Sequence, residues 1–138
     1  MASIIVTQGR QEGDFWPLGR RTTVIGRGET LPVQILDDLI SRRHLQIRYD
    51  DQADAYVAVD MNSRNGVYIN DRRITAETLL ADGDTIAIGQ TMLLFTDKDI
   101  EDRESAMLCY KKVGEKMKVT IYKPKSFYNQ QNDPDQTS

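Results

Sequence analysis

Apolar positions along this chain come in short bursts, and most bursts alternate with polar residues. Leu45, Ile47 and Tyr49 alternate with Gln46 and Arg48, the two-residue period of a strand with one buried face. Residues 4–7, 22–25, 33–36, 55–59, 67–69, 85–88 and 92–95 read as further strands, with 72–74 and 79–80 as minor ones. Residues 15–18 form a weaker strand, and Pro17 places it at a sheet edge. Turn residues separate these segments: residues 8–14 with two glycines, 50–54, Asn70-Asp71, Asp82-Gly83-Asp84 and Gly89-Gln90. Asn65-Gly66, which closes the loop that starts at Asp60, is a strong turn signal. Many short strands with turns between them predict an all-β fold, an antiparallel β-sandwich.

The pattern changes near residue 97. The acidic turn that opens residues 99–104 suits a helix N-terminus. Met107, Tyr110, Val113 and Met117 then recur at helical spacing, although Gly114 weakens such a helix by about 1 kcal/mol. Residues 119–122 could add a strand, and the chain from Pro124 onward has the polar composition of a disordered tail. The basic residues change too. All arginines but Arg103 lie at or before Arg73, and every lysine lies at or after Lys98. The expected organisation is a β-sandwich over 1–97, a C-terminal extension over 98–123 with one helix, and a tail over 124–138.

Length and charge narrow the function. A chain of 138 residues can bury one real core. Its net charge of -3 argues against nucleic-acid binding by an overall basic surface. The single cysteine, Cys109, forms no internal disulfide and belongs to no zinc-ligand spacing, which suits a reducing compartment. No stretch has a signal-peptide pattern or the length to span a bilayer, so a soluble cytoplasmic protein is expected. Asp37-Asp38 and Asp50-Asp51 lack the spaced ligands of a calcium loop and read as turn residues, so neither metal nor cofactor is expected.

Three loop motifs carry the candidate chemistry: Gly26-Arg27, Ser41-Arg42-Arg43-His44, and Ser63-Arg64-Asn65-Gly66. Loops of a sandwich gather at its ends, and arginine suits planar recognition of phosphate or carboxylate. Alone, Ser41 and His44 could also suggest a nucleophile and its base.

In this order and spacing the three motifs resemble those of the forkhead-associated (FHA) domain, and the resemblance covers about residues 3–97. It implies an eleven-stranded β-sandwich that binds phosphothreonine in a partner protein. Arg27 matches the arginine that contacts the phosphate or the adjacent peptide backbone. Ser41 matches the serine whose hydroxyl donates to a phosphate oxygen, and Arg42 the next position, whose side chain also reaches the phosphate. Asn65 matches the asparagine that bonds the peptide main chain, and Arg64 stands beside the phosphothreonine. Gly26, His44, Ser63 and Gly66 match loop-shaping residues. The family fold also pairs the N- and C-terminal strands and lets residues 28–39 shape selectivity. Val67 and Asp71 depart from the family's threonine and glycine, past the binding loop.

The expected function is therefore non-catalytic phosphopeptide recognition, with a Ser/Thr kinase or its substrate as partner and no role for nucleic acid or membrane. Oligomeric state is not legible. Arg20-Arg21 and Arg72-Arg73 read as solvated faces, and Met107–Met117 as a packing stripe. The alternative is a scaffold that acts through its sandwich faces or tail, with Thr137 as a candidate phosphorylation site.

Overall fold

A computed structural model describes residues 2–109. Eleven strands run in order: β1 Ser3–Gln8, β2 Phe15–Pro17, β3 Thr22–Gly26, β4 Val33–Gln34, β5 Leu45–Asp50, β6 Ala55–Asp60, β7 Val67–Ile69, β8 Arg72–Arg73, β9 Thr78–Leu80, β10 Thr85–Ile88 and β11 Thr91–Thr96. A helix, α1, occupies residues 103–109. The strands form a six-stranded sheet, β2-β1-β11-β10-β7-β8, and a five-stranded sheet, β4-β3-β5-β6-β9. The terminal strands pair antiparallel, Ser3 opposite Thr96, as the family fold implies.

Alternation explains the core between the sheets. Ile4, Val6, Ile86, Ile88, Leu93 and Phe95 from one sheet meet Ile25, Leu45, Ile47, Tyr56 and Ala58 from the other. Asn70 and Asp71 take φ of 50° and 70°, the paired left-handed residues of a tight hairpin, and join β7 to β8. β2 lies at a sheet edge, where Pro17 needs no ladder partner for its missing N–H.

One reading changes. The sandwich is not wholly antiparallel: β4 is cut to Val33–Gln34 and pairs parallel with β3, Ile25 opposite Val33. Asn65-Gly66 forms the expected turn at the end of its loop. It carries the chain from β6 in one sheet to β7 in the other, and Gly66 supplies the left-handed φ of 87° for that crossing.

The apolar run at Ile4-Ile5-Val6 has a cause that alternation alone does not show. Ile5 and Leu94 face outward from the six-stranded sheet, and Ile100 and Ala106 cover them with Phe15 and Cys109. Asp102 caps α1 through the Ser105 amide at 2.8 Å, and that bond holds its carboxyl below the usual value. Arg103 ties the helix to the β1–β2 loop, with Nη1 to Asp14 Oδ1 at 3.1 Å and Nη2 to the Glu12 carbonyl at 3.2 Å. Met107, assigned to a packing stripe, is exposed, and Ala106 packs instead. The rest of that stripe, the 119–122 strand, the tail and Thr137 lie outside the described residues.

We propose that the folded unit runs to at least residue 109, past the composition change at 97. A chain ending at 97 would expose Ile5 and Leu94, each worth about 1.5–3 kcal/mol when buried. It is expected to lose about 3 kcal/mol against a chain ending at 109, read as a shift of the urea midpoint. Equal midpoints would show that α1 adds nothing.

Candidate functional site

The loops that matter leave one end of the sandwich, and Gly26 governs their approach. It ends β3 where residues 41–44 run beside it. The Arg27 amide donates to the Ser41 carbonyl at 3.0 Å, the Gly28 amide to the Arg42 carbonyl at 3.1 Å, and the His44 amide to the Ile25 carbonyl at 3.0 Å. A Cβ on Gly26 would stand 2.1 Å from the Arg42 carbonyl oxygen, so only glycine permits this pairing.

His44 joins two loops. Its ring is fully buried. The Ser41 amide donates to Nδ1 at 3.0 Å, and Nε2 lies 2.7 Å from the Gly66 carbonyl. The neutral tautomer with the proton on Nε2 satisfies both contacts. The β6–β7 loop holds its own shape: the Ser63 amide donates to Asp60 Oδ1 at 2.9 Å, and the Gly66 amide to Ser63 Oγ at 3.0 Å. The Ser41 hydroxyl does not bond the histidine ring. Its oxygen accepts from the Arg64 amide at 3.0 Å, which leaves the hydroxyl proton to donate elsewhere. The Ser41–His44 proximity is thus a backbone brace, without the hydroxyl–imidazole bond of an activated nucleophile.

These braces shape a cleft of about 280 Å³ lined by Arg27, Asp38, Leu39, Ile40, Ser41, Arg64 and Asn65. Arg27 Nε donates to the Ile40 carbonyl at 3.0 Å, which orients the guanidinium. Asn65 Nδ2 donates to the Leu39 carbonyl at 2.8 Å and leaves its Oδ1 as an acceptor. Four of the five expected binding residues, Arg27, Ser41, Arg64 and Asn65, therefore share one cleft. The Arg42 side chain is exposed and outside the lining, while its carbonyl serves Gly28. Larger hollows occur elsewhere, one of about 420 Å³ between Tyr49, Tyr56 and Asp82. The converging donors, rather than volume, distinguish the smaller cleft.

Sequence reasoning missed several contributors. Asp38 puts a carboxylate on the rim. Leu36 and Leu39 stay 43% and 45% exposed and line an adjoining hollow of about 570 Å³ with Arg10, Gln90 and Thr91. Arg73 lies against Gly66, its Nε 2.7 Å from where a Cβ would stand. Exposed leucines inside a turn-rich segment were the one legible signal. Among the described residues no group of His, Cys, Asp and Glu is placed to hold a metal, and no helix is long and apolar enough to cross a membrane.

An eleven-stranded sandwich with an arginine, a serine and an asparagine from three loops in one cleft has the architecture of the FHA class. The FHA-domain family model matches residues 23–89. The chain is 35% identical over 94 residues to an oxoglutarate dehydrogenase inhibitor of Corynebacterium jeikeium, covering 68% of this chain and 63% of that protein. It is 37% identical over 82 residues to the FHA domain-containing protein FhaA of Mycobacterium tuberculosis, covering 59% of this chain and 15% of that protein. The FhaA FHA domain, solved in complex with the intracellular domain of Rv3910, superposes with a TM-score of 0.61 at 32% identity, covering 69% of this chain and 99% of that one. An FHA domain studied for its phosphothreonine-dependent interactions gives a TM-score of 0.63 at 30% identity, covering 72% and 98%. The chain belongs to the FHA family. It spans less than two thirds of the length of these curated relatives.

Proposed function

We propose that this domain binds phosphothreonine segments of partner proteins and serves Ser/Thr kinase signalling in the cytoplasm without catalysing a reaction. The observation that carries the reading is the convergence, in one cleft, of two arginines and a serine hydroxyl with its proton free to donate. A phosphothreonine carries about -1.5 to -2 charges and three acceptor oxygens, and it needs donors from several directions. Arg27 would hold the phosphate through its Nη groups, which make no hydrogen bond among the described residues. Ser41 would donate its hydroxyl, Arg64 would add charge beside it, and Asn65 would accept from the peptide main chain through Oδ1. Arg42 would reach the phosphate from the rim. The bound segment would continue over Leu36 and Leu39, which suit an aliphatic side chain. Gly26, His44, Ser63 and Gly66 would keep the loops in register.

Hydrogen bonds to a charged group contribute roughly 1.5–3 kcal/mol each, so three or four would supply much of the ~8 kcal/mol of a micromolar complex, before ordering costs are subtracted. Arg27→Ala is expected to weaken binding of a phosphothreonine peptide about 10- to 100-fold. Ser41→Ala should cost about tenfold and leave the domain folded. Fluorescence anisotropy with a phosphothreonine peptide library and its unphosphorylated twin tests this. Equal binding of the two forms by the wild-type chain would refute the reading.

A further inference from the structure

Asp37 stands outside the cleft, and its carboxylate is the one buried acid among the described residues. Three donors converge on it. The Leu39 amide reaches Oδ1 at 2.9 Å, while the Gln90 amide and the Thr91 hydroxyl reach Oδ2 at 2.7 and 2.9 Å. Burial opposes its charge, but these bonds outweigh burial and hold the carboxyl below its usual value. Gln90 belongs to the β10–β11 turn and Thr91 opens β11, on the opposite sheet from β5. Gly89 lets that turn close in, since a Cβ there would stand 2.8 Å from both Asp37 Oδ2 and Ile40 Cγ1.

The chain of contacts then runs into the cleft. The Asp37 carbonyl accepts from the Ile40 amide at 3.0 Å, so residues 37–40 form one tight turn. Two carbonyls of that turn hold the ligand-facing side chains: Leu39 holds Asn65 and Ile40 holds Arg27. One carboxylate thus anchors the platform on which a guanidinium and an amide are aimed. Aim matters because a bound anion gains only from donors already oriented toward it.

We propose that Asp37 is the positioning residue of the cleft, and that Gln90 and Thr91, which line the adjoining hollow but no part of the cleft, tune phosphothreonine affinity through Asp37. This rests on the phosphothreonine reading above. The test uses Asp37→Asn, Thr91→Val and Thr91→Ser in the full chain. Two readouts are taken: affinity for a phosphothreonine peptide, and the NMR signal and exchange rate of the Arg27 Nε–H, which needs no ligand.

Asp37→Asn replaces one acceptor oxygen with a donor and should weaken peptide binding about tenfold or more. Thr91→Val should weaken it about three- to tenfold, and Thr91→Ser, which keeps the hydroxyl, should stay within about twofold. The Arg27 Nε–H should lose exchange protection in the first two variants and keep it in the third. A purely structural role would lower the melting temperature while leaving affinity and the Arg27 signal unchanged well below it, and that result overturns the proposal. If Asp37→Asn does not fold, the Thr91 pair decides. If the wild type ignores phosphothreonine, the functional reading fails, and the Arg27 signal still decides the role of Asp37.

Discussion

Replacing His44 with alanine is expected to cost about 3–5 kcal/mol of stability and to remove detectable phosphopeptide binding. The ring is fully buried and satisfies two backbone groups at once, the Ser41 amide and the Gly66 carbonyl. Alanine leaves both without a partner, at about 1–3 kcal/mol each, and opens a void beneath the cleft. That loss is a large share of the ~5–15 kcal/mol that holds a domain folded. The binding loss has a separate cause. His44 ties the β4–β5 loop to the β6–β7 loop, and Ser41 and Arg64 sit on those two loops in mutual contact. Once the strut is gone, the donors no longer share a fixed geometry. Urea unfolding gives the first quantity, and peptide titration at a temperature where circular dichroism shows the variant folded gives the second. A variant with wild-type midpoint and affinity would show that the histidine merely fills space.

Gly26→Ala should be comparably severe for a different reason. Its Cβ would meet the Arg42 carbonyl oxygen at 2.1 Å and the Ser41 carbonyl oxygen at 2.8 Å. Both are backbone atoms, so no side chain can rotate away. The 41–44 segment would have to retreat, giving up the bonds from the Arg27 and Gly28 amides. Overpacking costs about 1–3 kcal/mol and each lost backbone hydrogen bond about 0.5–1.5 more, so a loss of roughly 3 kcal/mol is expected, with Arg27 and Ser41 drawn apart. Gly28→Ala is the contrast: its Cβ would have 3.3 Å to the same carbonyl, a gap the backbone can widen slightly. If the two variants unfold at the same urea concentration, close approach at Gly26 is not the constraint.

Much of the fold was legible because half-buried strands announce themselves locally. The alternation at residues 45–49 needs only the neighbours along the chain. β4 was overextended because Ile35 is as apolar as Val33. What ends the strand is geometric: the Ile35 amide makes the last bond to β3, at the Gly26 carbonyl where β3 itself ends, and the Leu36 amide turns to Gln11 Oε1 at 2.7 Å while its side chain faces solvent. Asn65-Gly66 shows a related limit of local pattern. The left-handed φ it foretold is present, but whether the next strand pairs with the last one or joins the other sheet depends on partners far away. Met107 was placed on the packed side of its helix, but Ala106 takes that place, since what packs there is set by Ile5 and Leu94 on the outside of the sheet.

The amino-acid sequence by itself determined the strand pattern, the turn positions and the three loop motifs, because periodicity and turn chemistry are properties of adjacent residues. It also supplied the residues that meet in the cleft. Tertiary structure alone decided what those residues do to one another. Ser41 and His44 are three apart and could have been nucleophile and base, until a carbonyl 22 residues downstream claimed the ring. Asp37 read as a turn residue, until a hydroxyl 54 residues away bonded it. Such partners are chosen by the packing of one sheet on the other. No local pattern encodes that packing, because its energy comes from groups that become neighbours only when the chain has folded.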